Sequence, residues 1–174
     1  YLGPETTFTH QAAIRQFGHG AAYLHQPAID AVFKEVEQGR ADYGVVPIEN
    51  SIEGVVNLTF DCFVDSPLLI CDEMRLGISL YLISKLRDKK QIRTLYSHPQ
   101  PLAQSRNWLN QNLPKAKWVE TSSTAQAALM ALEKSQSAAL AGKLAAEHYK
   151  LHILAEKIED QVENYTRFLV ITKT

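Results

Sequence analysis

Cysteine is scarce in this chain: its 174 residues hold two, Cys62 and Cys71. Two are too few for a disulfide scaffold, and their spacing matches no zinc motif. Long basic runs are missing and the formal charge is −1, so non-specific nucleic-acid binding has no electrostatic support. No apolar run approaches the length of a membrane span, and the N-terminus does not look like a signal peptide. No membrane partner is expected, and the expected compartment is the reducing cytoplasm. GxGxxG, the P-loop, HExxH and the G-x-S-x-G elbow are all absent, which disfavours dinucleotide binding, zinc proteolysis and α/β-hydrolase chemistry. Internal repeats and low-complexity linkers are absent too.

What is present is the material of a packed core. Apolar residues make up 45% and charged residues 21%, in a length that suits one domain or two small lobes. Ile29, Val32, Phe33 and Val36 recur at i, i+3, i+4, i+7, predicting a helix that Gly39 stops. YGVVPIEN follows as a buried strand broken by Pro47. SLYLIS and TLYS read as strands, and PLAQSRNWLNQNLP as one helix with Leu102, Leu109 and Leu113 along a side. Ser123 with Gln126 has capping-box spacing and opens a helix that buries Ala125, Ala128, Leu129 and Leu132. SAALA is a strand, and an Ala-rich helix follows from Gly142 to about Tyr149.

This alternation predicts an α/β fold with mainly parallel pairing. LLICDEMRLGISLYLIS is too long for one strand and is expected to cross between sheets near Gly77. TRFLVI then returns to the first sheet, giving lobes at 1–77 plus 160–174 and at 78–159, with a cleft between them. Tyr1 reads as partway into a strand, so flanking segments are expected.

Four strand–helix junctions are rich in small polar residues: GPETTFTH, PIENSIEG, SHPQPLAQ and ETSSTAQ. Such residues cap helices, and at strand ends they also bind small carboxylates or phosphates. In the second junction, Asn50 and Ser51 form either a cap with a tight turn or an amide–hydroxyl pair for a carboxylate. His148 and His152 have a zinc-compatible spacing, but no third ligand clusters with them and no metal is expected.

Taken in order, GPETTFTHQAA, YGVVPIENSIEGVV, SHPQPLAQSRNWL and NYTRFLVI closely resemble the catalytic domain of prephenate dehydratases, over nearly the whole chain. The resemblance implies two α/β lobes around a cleft, similar to type II periplasmic-binding folds. It implies conversion of prephenate to phenylpyruvate with loss of water and carbon dioxide, in phenylalanine biosynthesis and without a cofactor. It makes Thr166 the catalytic residue. Substrate contacts implied are Thr7, Asn50, Ser51, Ser97, Gln104, Arg167 and Phe168. A homo-oligomer, dimer or tetramer, is implied as well, with a C-terminal ACT regulatory domain expected to be missing from this stretch.

A threonine hydroxyl suits a reaction that must expel a ring hydroxyl, because it donates a hydrogen bond or relays a proton to the leaving oxygen. Arg167 either forks onto a substrate carboxylate or orders the loop through a salt bridge. Strand alternation puts Thr166 and Arg167 on opposite faces and Phe168 on Thr166's face. Sister activities are arogenate dehydration and prephenate decarboxylation; the intact threonine favours dehydration. A non-catalytic small-carboxylate binding module is the other alternative. Three positions depart from the family pattern. Thr6 replaces a usual glycine, Ser105 a frequent cysteine, and Lys143 a small residue.

Overall fold

The computed structural model describes residues 1–161 and 163–173. The chain runs α1 (Phe8–Phe17), α2 (Ile29–Glu37), β1 (Tyr43–Asn50), β2 (Gly54–Val55), α3 (Asn57–Asp65), β3 (Leu69–Gly77) and β4 (Tyr81–Ser84). After a single 3₁₀ turn come β5 (Thr94–Ser97), α4 (Pro99–Gln104), α5 (Arg106–Asn112), β6 (Lys117–Glu120) and α6 (Thr124–Glu133). β7 (Ser137–Ala141), α7 (Lys143–Tyr149), β8 (His152–Ala155) and β9 (Tyr165–Thr172) complete it. Two compact units result, Tyr1–Ile78 with Glu163–Thr174, and Ser79–Val162.

The first unit is built on a four-stranded sheet in the order β2-β1-β9-β3. Every pairing in it is antiparallel. The expectation of mainly parallel pairing is therefore corrected: β9 returns from the far end of the chain and inserts between β1 and β3, running against both. Strand alternation sorts its residues onto two faces. Phe168 packs with Val45, Leu76, Tyr1 and the two alanines of α1, Ala12 and Ala13. Leu169 and Ile171 pack with Val46, Ile48 and the periodic stripe of α2. All four predicted α2 positions are buried, and each contributes roughly 1.5–3 kcal/mol. Gly44 lets α2 approach the sheet, since a Cβ there would come within 3.0 Å of the Val32 side chain of α2 and 2.7 Å of Ile171 on β9.

Pro47 does not break β1. The strand stays continuous and absorbs the proline in a bulge between Pro47 and Glu49, where Thr59 Oγ1 donates to the Pro47 carbonyl at 2.6 Å. The bulge shifts the register by one residue. Glu49 then faces Arg167 and Asn50 faces Thr166; an unbulged strand would set the Glu49 carboxylate opposite Thr166.

The second unit carries a mixed sheet, β6-β5-β7-β4-β8. Its β5 pairs in parallel with β6 and β7, whereas β4 is antiparallel to β7 and β8. The core is made of alanines: Ala127, Ala128 and Ala131 of α6 against Ala139 and Ala141 of β7. Close contact between small side chains turns Leu129 outward, 39% exposed, against its expected burial. The single helix expected after β5 is two, α4 and α5, separated at Ser105. Asp160 caps the second of these by accepting the N–H groups of Asn107 and Trp108 at 2.9 and 3.2 Å.

Candidate active site

The end of β1 and the start of β9 form a polar cluster around two side chains. Asn50, 8% exposed, donates through Nδ2 to Thr166 Oγ1 at 2.9 Å, to Asn164 Oδ1 at 3.2 Å and to the Tyr165 carbonyl at 3.3 Å. Its Oδ1 accepts the N–H groups of Ile52 and Glu53 at 3.0 and 3.1 Å, closing the turn after β1. A carboxamide nitrogen only donates, so the Thr166 oxygen accepts in this pair and its own proton is left for another acceptor. Accepting one hydrogen bond polarises the hydroxyl and strengthens the bond it donates. Thr166 is half-buried, at the mouth of the strand.

Ser51 reinforces the same strand mouth. Its N–H donates to the Tyr165 carbonyl at 2.9 Å, and its Oγ accepts the Tyr165 N–H at 3.0 Å. The PIENS amide and hydroxyl are thus engaged within the chain, where they hold the residues flanking Thr166. Tyr165 is pinned further by the Arg75 guanidinium, 4.5 Å above its ring.

Arg167 and Phe168 are placed apart from this cluster. Arg167 donates to Glu49 and to Glu73, each at 2.8 Å, on the face opposite Thr166. Hydrogen bonding to Glu73, then to Glu49, holds its guanidinium above the usual range. Both ends of the guanidinium are thus engaged by carboxylates within the chain, with Arg75 paired opposite it on the same face. Phe168 is 1% exposed and fills the core beneath α1.

Thr7 caps α1. Its Oγ1 accepts the His10 N–H at 3.3 Å and donates to the Pro4 carbonyl at 2.9 Å. Thr6 beside it keeps the left-handed backbone a glycine would take, at φ +67, and its buried hydroxyl has no hydrogen-bond partner. For a β-branched residue that conformation stores roughly 1–3 kcal/mol of strain. In the second unit, Ser97 ends β5, fully buried, with its Oγ 3.5 Å from the Leu140 carbonyl. Gln104 ends α4, and its carbonyl accepts the Asp160 N–H at 2.6 Å.

Among the described residues, no group of three His, Cys, Asp or Glu side chains is arranged to hold a metal, and no helix is long and apolar enough to cross a membrane.

The family model for prephenate dehydratase matches residues 1–174. The chain belongs to the prephenate dehydratase family. It is 50% identical over 173 residues to a bifunctional chorismate mutase/prephenate dehydratase of Aquifex aeolicus, covering 99% of this chain and 48% of that protein. The crystal structure of prephenate dehydratase in complex with L-Phe from Arthrobacter aurescens superposes with a TM-score of 0.89 at 33% identity, over 99% of this chain and 59% of that one. A structure described as GqqA, a quorum-quenching acylase, superposes with a TM-score of 0.87 at 27% identity, covering 99% and 63%. The chain spans about half the length of the bifunctional curated relatives it matches.

Sequence reasoning passed over several residues in this prephenate dehydratase domain. Asn164 sits two positions before Thr166, so strand alternation could have placed it on the same face beside Asn50. Glu49 and Glu73 gave no comparable signal, because they meet Arg167 through pairings 118 and 94 residues apart.

Proposed function

We propose that this chain converts prephenate to phenylpyruvate, with Thr166 as the hydrogen-bond or proton donor to the departing ring hydroxyl. The observation that carries this is the Asn50–Thr166 pair at 2.9 Å, which leaves the threonine proton for the substrate. In the reaction the bond from the ring to its carboxylate breaks, and its electrons enter the ring. The ring C–O bond breaks with its electrons leaving on oxygen. One proton taken up overall completes water, and carbon dioxide, water and aromatic phenylpyruvate result. Aromatisation supplies the driving force, so the protein has to hold a dianion and assist the leaving oxygen. General-acid assistance of this kind contributes on the order of 10²–10⁴-fold.

Thr7 at the N-terminus of α1 supports binding of a substrate carboxylate, since that helix end carries partial positive charge. Ser97 and Gln104 enter as further substrate contacts on the strength of the SHPQPLAQ segment. Asn50 and Ser51 act by holding the strand mouth, and Arg167 by tying β9 to its neighbours. The exposed Phe60 and Val64 on α3, 48% and 81% accessible, support a homo-oligomer. The two unpaired cysteines support a cytoplasmic setting.

The test is phenylpyruvate formation from prephenate by the wild type, Thr166→Ala and Thr166→Ser. Activity lost in the alanine variant, substantially kept in the serine variant, and unchanged substrate binding are expected. Turnover surviving in Thr166→Ala sinks the assignment. A non-aromatic decarboxylated product, or turnover of arogenate alone, replaces it with a sister activity.

A further inference from the structure

The turn before α1 holds Thr6 in a backbone conformation that threonine disfavours, so something must hold it there. Its N–H points at a side chain: Thr6 N donates to His10 Nδ1 at 3.0 Å. The His10 backbone N–H in turn donates to Thr7 Oγ1 at 3.3 Å. The two contacts are reciprocal in the manner of a capping box, with histidine in place of glutamate and reaching one residue further back. An Nδ1 that accepts a backbone N–H carries no proton, so the ring is neutral with its proton on Nε2.

The ring is fixed in place from outside the turn. It stacks flat on Tyr1, with centroids 4.5 Å apart and 9° between planes, and Tyr23 meets it edge-on at 5.7 Å. Tyr1 is 7% exposed and belongs to the same packed cluster as Phe168 and Leu76, the face of the sheet that also bears Thr166. A continuous set of contacts therefore runs from β9 through Tyr1 and His10 to the Thr6–Thr7 turn.

We infer that His10 is a positioning residue: by accepting the Thr6 N–H it sets the turn that presents Thr7 and the N-terminus of α1. This rests on the proposal that Thr7 contacts the substrate. Two substitutions separate the ring's two contributions. His10→Phe keeps a flat ring for Tyr1 and removes the acceptor. His10→Asn removes the stacking and puts an oxygen close to where Nδ1 stood.

The experiment measures prephenate turnover by the full chain with these two variants and Thr7→Ala. Expected is a KM raised about tenfold in His10→Phe with kcat within roughly twofold, and recovery of most of that affinity in His10→Asn. A merely structural histidine would lower the melting temperature in both variants and leave KM in place; that result overturns the inference. If Thr7→Ala raises KM while His10→Phe does not, the inference falls and the Thr7 assignment stands. If Thr7→Ala leaves KM unchanged in an active enzyme, both fall. Nitrogen-15 spectroscopy of the wild-type histidines gives an answer independent of turnover. An unprotonated, hydrogen-bonded Nδ1 with Nε2–H is expected for His10, and a proton on Nδ1 refutes the contact.

Discussion

Replacing Asn50 with aspartate changes one atom in the cluster that aims Thr166. In Asn50→Asp, Oδ1 keeps the Ile52 and Glu53 N–H groups. The second oxygen then stands where Nδ2 stood, 2.9 Å from Thr166 Oγ1, 3.2 Å from Asn164 Oδ1 and 3.3 Å from the Tyr165 carbonyl. Oxygen faces oxygen three times. Turning the Asn164 amide would relieve one clash at the cost of that side chain's other contacts. The Tyr165 carbonyl is fixed by the Ser51 N–H. Thr166 relieves the last by rotating its proton onto the carboxylate in a charge-assisted bond. That bond offsets part of the burial cost, so folding weakens by about 1–2 kcal/mol. Catalysis suffers more, because the proton meant for the leaving oxygen now points at residue 50. Losing it lowers kcat by roughly 10²–10⁴-fold. That is about 3–5 kcal/mol, so the kinetic defect exceeds the stability defect. Burial without a cation raises the new carboxyl's pKa, and its protonated form donates to Thr166 as the amide did. The deficit therefore shrinks as pH falls. Phenylpyruvate formation measured against pH, beside a melting curve, reads both effects. A folded Asn50→Asp enzyme with kcat within about threefold of wild type would refute the donor–acceptor reasoning.

Three further outcomes are expected. Thr6→Gly removes left-handed strain and an unpartnered buried hydroxyl, at the expense of two buried carbons and added chain entropy. The balance is a gain of about 1 kcal/mol in denaturant melts, and a comparable loss would show the turn is not strained. Arg167→Met breaks two partly exposed ion pairs, so it weakens folding by no more than about 1 kcal/mol and leaves KM within roughly threefold. A hundredfold rise in KM would instead make Arg167 a substrate ligand. Burial first, and Glu5 second, push the Tyr1 phenol up to about 12 from its ordinary 10.0. Between those values the unfolded chain ionises while the folded one does not, so this contribution is whole below pH 10 and is lost as pH rises towards 12. Tyr1→Phe should flatten the alkaline fall in stability, and equal slopes in both proteins would count against the burial.

What could be read from the residues, and what could not, follows the range of the forces involved. The α2 stripe and the cap at Ser123 are local patterns, and the structure has both; Ser123 Oγ accepts the Gln126 N–H at 3.0 Å. Leu129 was misplaced because period alone does not say whether a leucine or an alanine face meets the sheet. That choice is made by the alanines of β7, which demand close approach. Strand direction was misjudged for a similar reason. Alternating helices and strands imply parallel crossovers when each strand joins the sheet of its predecessor, and here β9 pairs with strands whose partner residues lie about 90 to 130 positions earlier.

The proposed active site sharpens the same lesson. PIENS and TRF are visible as motifs, yet the sequence does not reveal that one bulge decides which of two adjacent side chains meets Thr166. Glu49 in that position would accept the hydroxyl proton, as aspartate does in Asn50→Asp, and leave none for the substrate. With the bulge, the carboxylate turns to the other face and neutralises Arg167, and the neutral amide meets the threonine. The register shift thus separates a charged pair that orders the strand from a neutral pair that presents a proton. Inserting one residue between Ile48 and Glu49, with the bulge kept, should bring Glu49 opposite Thr166 in place of Asn50 and abolish turnover while most of the sheet's hydrogen bonds survive. Retained activity in that insertion would mean the bulge serves Pro47 alone.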